Sequence, residues 1–259
     1  MRRSPLLALV LSGALLTACS GDDSGDTASP TSEPSASASS SGSASGDGEL
    51  ADLSAEAVLA EAKAAFLAAG TVRIVGDITE GAETFSLDLM IAGSEGGRGS
   101  VSTGGATFQL VRVGTDVYFQ APASFYEAQS GPEAAADLAT KFVKATTEDP
   151  NFADLAAFTD LQALADELFS PDGELEKTDV TELDGQQVLG LRDSDGSVLY
   201  VAATGDPVPV RLAAVEEGAT PAPDATDSGQ VDFTDYGKEV DLTPPTNVID
   251  ASELAPPAG

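Results

Sequence analysis

The stretch Phe85-Ser86-Leu87-Asp88-Leu89-Met90-Ile91 sets large apolar residues at the odd positions against Ser86, Asp88 and Met90 at the even ones. Period two puts Phe85, Leu87, Leu89 and Ile91 on one face of a β-strand, the signature of a half-buried element in an antiparallel sheet. The pattern spreads outward in both directions. Upstream, Val72, Ile74 and Ile78 alternate; downstream, strands are expected near 98–103, 106–113 and 116–121, the last two joined at Gly114-Thr115-Asp116. Connections this short impose antiparallel pairing. Further strands read at about 174–182, 186–192, 197–203, 208–215 and 230–236, with Asp184-Gly185 and Asp193-Ser194-Asp195-Gly196 as turns.

Helical spacing interrupts this series three times. Ser54 precedes a run in which Val58, Leu59, Ala62, Ala65, Phe66 and Ala69 share one face, and Gly70 stops it. Pro132 opens a second helix carrying Leu138, Phe142 and Ala145; Asn151 caps a third with Phe152, Leu155, Phe158, Leu164 and Leu168. The fold class expected is therefore α+β, one large curved antiparallel sheet of about ten strands with three inserted helices. In 106–120, Phe108 and Leu110 point one way while Val111 and Val113 point the other. Either both faces of the sheet are covered, or the concave side holds helices together with an apolar ligand space. Periodicity does not separate these two readings.

The N-terminus carries a second kind of signal. Arg2 and Arg3 precede Leu6-Leu7-Ala8-Leu9-Val10-Leu11 and Ala14-Leu15-Leu16, an apolar stretch shorter than the roughly 20 residues of a spanning helix. It ends in Leu16-Thr17-Ala18-Cys19, which resembles a bacterial lipobox. That resemblance implies a signal peptide over 1–18, cleavage before Cys19 and acylation of its thiol as a membrane anchor; the alternative is an ordinary secretory signal with a stray cysteine. Residues 19–49, nearly all Ser, Ala, Gly, Asp, Thr, Pro and Glu, read as a disordered tether with an r.m.s. reach of roughly 30 Å. A single domain is expected over 50–253, with a disordered Pro-rich loop at 218–228.

Composition removes whole classes of function. Of the 259 residues 43 are acidic and only 12 basic, and Arg2 and Arg3 leave with the signal, so nucleic acid and anionic surfaces are poor partners. His is absent, which excludes His-based triads and imidazole ligands; the one cysteine excludes an internal disulfide. Gly93-Ser94-Glu95-Gly96-Gly97-Arg98-Gly99 has neither the third glycine of a dinucleotide fingerprint nor a following Gly-Lys-Ser/Thr, and reads as a hairpin turn. Asp193, Asp195 and Gly196 echo a calcium loop without its closing Glu. Neither catalysis, a metal nor a cofactor is expected.

The order of lipobox, Ser-rich tether, helix, hairpins with Val113-Gly114-Thr115-Asp116-Val117-Tyr118, central helices and more hairpins ends in Phe233-Thr234-Asp235-Tyr236-Gly237. Pro244-Pro245 and Val248-Ile249-Asp250 follow. Over about 50–251 this arrangement is similar to the LppX/LprAFG lipoproteins, actinobacterial surface lipoproteins related in fold to the LolA/LolB carriers. The resemblance implies a half-open barrel with helices across its mouth and an apolar cavity that in some members carries acylated lipids. On it rest the expectations of a monomeric, lipid-anchored protein on the outer face of the cell membrane, binding or carrying a lipid or acylated glycolipid. The alternative is an envelope sensor or adaptor that uses the same sheet to bind a protein partner. Phe85, Leu87, Leu89 and Ile91 are the strand candidates for the cavity wall, and Leu138 and Phe142 the candidates on a facing helix.

Overall fold

The computed structural model describes residues 49–80, 82–149, 152–171, 173–214 and 227–254. The signal peptide, Cys19 and nearly all of the tether lie outside them, as does most of the 218–228 loop. The chain divides into two units, Met1–Ala44 and Ser45–Gly259, and every described residue belongs to the second.

A short turn of helix, α1 (Glu49–Asp52), leads into α2 (Ala55–Ala69). Ser54 caps α2 by accepting the Ala57 amide, and Gly70 ends it with φ of 71°, a backbone conformation in which a Cβ would be strained. Val58, Ala62 and Phe66, four residues apart, are its fully buried stripe. Five antiparallel strands follow: β1 (Thr71–Glu80), β2 (Glu83–Ala92), β3 (Gly96–Thr103), β4 (Ala106–Val113) and β5 (Asp116–Gln120). Then come α3 (Ala123–Ser130), α4 (Pro132–Leu138), β6 (Phe142–Thr146), α5 (Ala153–Ala157) and α6 (Leu161–Leu168). The second half supplies β7 (Glu176–Lys177), β8 (Thr181–Leu183), β9 (Gln186–Arg192), β10 (Val198–Ala202), β11 (Pro209–Ala213) and β12 (Asp227–Thr234). The last strand, β13 (Val248–Asp250), closes with a 3-10 turn over Ala251–Glu253.

All thirteen described strands form one unclosed sheet, ordered β13-β6-β5-β4-β3-β2-β1-β12-β11-β10-β9-β7, with β8 also on β9. The architecture is thus α+β, an open curved sheet with helices on one face. Several elements differ from the sequence reading. Six α-helices are described rather than three, and α3 is new. The expected helix with Leu138 and Phe142 on one face stops at Leu138; Phe142 opens strand β6, which pairs with both β5 and β13. The expected strand over 174–182 is interrupted: Gly190 and Thr178 exchange bonds between β7 and β8, the Thr178 hydroxyl accepting the Gly190 amide. Strand β12 starts at Asp227, so the last two residues of the expected loop are sheet.

One connection explains how both faces come to be covered. From β12 the chain must reach β13 at the far edge, and β13 joins β6 in the sheet's one parallel ladder among the described residues. Residues 235–247 make that crossing. Asp235 (φ 55°) and Gly237 (φ 71°) turn the chain, the Gly237 amide donates to Thr71 O, Arg98 pairs with Asp241, and Phe142 N donates to Asn247 O. Arg98 lies opposite Val111, which lies opposite Tyr118, so this strap runs over the face away from the helices. Val111 and Tyr118 are buried on that face.

Candidate functional site

The registers arrange the helix-facing side chains, the inner face, in rows that run across the strands. One row joins Val72, Ile91, Gly97, Arg112, Val117 and Ala145; the next joins Phe233, Ile74, Leu89, Gly99, Leu110, Phe119 and Val143. A third joins Leu191, Leu199, Leu212, Val231, Gly76, Leu87, Val101 and Phe108, and a fourth joins Ile78, Phe85, Thr103 and Ala106. The first row lies beside the turns at 93–95 and 114–115, the fourth beside the Glu80–Glu83 and Thr103–Ala106 hairpins. Burial changes along this direction. In the first two rows Val72, Ile74, Leu89, Ile91, Leu110 and Val117 are all buried, whereas Leu87, Val101, Phe108, Ile78 and Phe85 in the last two are only half-buried.

The helices account for that gradient. Phe66 of α2 anchors the main core, with the Phe169, Phe233 and Tyr236 rings edge-on to it at 5.7, 6.1 and 6.3 Å. Tyr236 donates its hydroxyl to Pro209 O, and burial pushes its pKa far above the ordinary value. Ala156 of α5 packs on Leu110 and Val117. On the other side α3 and α4 bring Tyr126, Ala135 and Leu138 against Ala121 and Val143. The half-buried strip across β1 to β4, about 14 Å wide at three strand spacings, is shared between these clusters: Ile78, Leu87 and Val101 pack against the first, and Phe108 against the one with α3 and α4.

At the filled end an arginine replaces an apolar residue in the row. Arg112, only 5% exposed, shares the face of Phe108 and Leu110. Its Nε–H donates to Thr159 Oγ1 (2.9 Å), Nη2 to Thr159 O (2.7 Å) and Asp160 Oδ2 (3.4 Å), and Nη1 to Ser94 O and Gly114 O (both 3.1 Å). Every N–H direction of the guanidinium is thus taken by protein. Burial lowers its pKa, and the Asp160 charge offsets part of that effect. The cluster breaks the expected single helix into α5 and α6: Thr159 turns in to meet Arg112, and Asp160 caps α6 through the Gln162 and Ala163 amides. Gly97 permits the approach, since a Cβ there would stand 3.1 Å from Thr159 Cβ.

The solved structures similar to this chain include mycobacterial lipoproteins. LprF from Mycobacterium bovis aligns at TM-score 0.45 and 11% identity, covering 74% of this chain and 96% of that chain. The lipoprotein LppX from Mycobacterium tuberculosis aligns at TM-score 0.44 and 12% identity, covering 73% and 98%. An uncharacterized conserved protein from Thermus thermophilus follows at TM-score 0.35 and 13% identity, covering 76% and 99%. No family model and no curated protein matches the chain.

The candidates read from the sequence fall into separate places. Phe85, Leu87, Leu89 and Ile91 share the inner face, but Leu89 (1% exposed) and Ile91 (0%) sit in filled core, and Phe85 and Leu87 in the half-buried strip. Leu138 is half-buried on α4 against Tyr126 and Val143. Phe142 is next to Val143 in β6 and so points to the opposite face, opposite Val248. Arg112 escaped the sequence reading although its parity with Leu110 marks it as inward. Phe108, Val101 and Ile78 complete the strip; Ile78 and Phe108 were already visible as members of alternating runs.

Proposed function

We propose that this chain is a lipoprotein anchored through Cys19 to the outer face of the cell membrane, which holds the acyl part of a lipid or acylated glycolipid on the half-buried strip of its inner face. The observation that carries the reading is the burial gradient across β1–β4, where Val72, Ile74, Leu89, Ile91 and Leu110 are buried core and Ile78, Phe85, Leu87, Val101 and Phe108, farther along the same strands, are half-buried apolar surface. Apolar surface between helices gains by covering itself. At about 0.8 kcal/mol per buried CH2, roughly eight methylenes laid across the strip contribute about 6 kcal/mol without a charged clamp. Arg112 supplies no such clamp, because its donors are spent on Thr159, Asp160, Ser94 and Gly114. The lipobox-like Leu16-Thr17-Ala18-Cys19 supports the anchor, and the tether lets the domain stand off the membrane.

Titration of the purified chain with a fluorescent polyene fatty acid tests the strip. Saturable binding that weakens by about tenfold or more in Phe85→Arg supports the proposal, since a charge set in the strip loses solvation when the chain covers it. Binding that Phe85→Arg leaves unchanged contradicts it. The anchor is tested apart from the strip by the mass of the mature N-terminal peptide, which should begin at an acylated Cys19 and disappear in Cys19→Ala.

A further inference from the structure

The strand ends where the inner face is half-buried carry two exposed apolar side chains, one beside β4 and the other beside β7. Phe125 on α3 is 46% exposed although three aromatic rings surround it: Phe108 at 5.5 Å, Phe119 at 6.3 Å and Tyr126 at 5.1 Å. A ring with such partners is held in place, not left loose, and its outer half faces water. Leu53, 37% exposed, lies at the other end of the third row, because Lys177, paired with Leu191 in that row, donates its ammonium to the carbonyls of Ala51 and Leu53. Residues 1–48 join the domain at Glu49, four positions before Leu53, so the tether from Cys19 enters at this same end.

From these placements we infer that Phe125 and Leu53 form a membrane-docking edge, which sets the half-buried strip against the bilayer that anchors the chain. The inference rests on the anchor proposed above. Phe125 is the contact and the covering at once, being in van der Waals reach of Phe108 at the margin of the strip. Docking is shallow and apolar, since Asp52, Glu83, Glu127 and Glu176 stand exposed around the same end and repel anionic headgroups. The occupant is therefore a lipid surface of low net charge, entered by aromatic and aliphatic side chains at headgroup level.

The absence of Trp from the whole sequence makes the test specific. Full chain acylated at Cys19, carrying either Phe125→Trp or, at the opposite end of the sheet, Thr115→Trp, is reconstituted in phosphatidylcholine vesicles with and without acyl-brominated lipid. Docking predicts that the Phe125→Trp protein loses roughly half or more of its emission to bromine and shifts to shorter wavelength, while the Thr115→Trp protein keeps both. Vesicle-bound protein with neither indole quenched, or with both quenched equally, overturns the docking edge and leaves the anchor standing. Protein that does not float with the vesicles overturns the anchor, and the docking edge with it.

Discussion

Replacing Leu89 and Phe85 in turn by Trp separates the two halves of the inner face within one strand. The residues are four apart on β2 and point the same way, yet Leu89 is fully buried against the α2 core and Phe85 is half-buried. At position 89 the larger ring must displace packed neighbours, an overpacking cost of about 1–3 kcal/mol. For a domain of this size about 2 kcal/mol lowers Tm by about 4–8 °C, and with a urea m-value of roughly 2–3 kcal/mol/M it moves the midpoint by about 0.7–1 M. At position 85 the indole has space, and the change should stay within about 0.5 kcal/mol. Urea denaturation followed by circular dichroism measures both. Each variant also carries the chain's one Trp, so emission should be blue-shifted at 89 from the start and become so at 85 only when an acyl ligand is added. Equal destabilisation at the two positions, or none at 89, would refute the division of the face into filled and open rows.

Arg112→Met should cost about 3 kcal/mol in the same assay, because it leaves the buried Thr159 carbonyl and hydroxyl without their donor and Asp160 without its cation; a loss below about 1 kcal/mol would show that the α5–α6 junction does not depend on it. On the outer face Arg73 holds Asp88 through two hydrogen bonds of 2.9 Å, which keep the Asp88 carboxyl below its ordinary pKa. A depressed folded-state pKa contributes stability above the unfolded value, lost as pH falls through the folded one. Asp88→Asn should therefore remove a small part, about 0.5 kcal/mol given the pair's exposure, of the stability at neutral pH and leave stability in strong acid unchanged; a loss that is the same at both ends of the titration would contradict this.

The run of antiparallel hairpins was legible because Phe85, Leu87, Leu89 and Ile91 alternate with Ser86 and Asp88 and because Gly114-Thr115 and Asp184-Gly185 mark tight turns, whereas the pairing of β1 with β12 was not. Burial at the filled end was not legible. Leu89 and Phe85 look alike in the sequence, and only the placement of α2, through Phe66, distinguishes them. Phe142 shows a different failure: Leu138, Phe142 and Ala145 are spaced for a helix, but Val143 and Ala145 alternate with Lys144 too, and pairing with β5 and β13 decides between the patterns. Strand β13 is three residues long and its partner lies more than 100 positions earlier, a contact that local pattern does not carry. The break between α5 and α6 is likewise tertiary, set by Arg112 drawing in Thr159.

The central claim is that the open rows of the inner face hold a lipid, and the content of the protein taken gently from its own membranes tests it most directly. Native mass spectrometry of that protein should show, above the mass of the acylated chain, a noncovalent lipid that is released on collisional activation and is missing from an equally stable Phe85→Arg variant. Wild-type protein that comes off empty, as a sensor or adaptor for a protein partner would, or a Phe85→Arg variant that keeps the same lipid, would contradict the account.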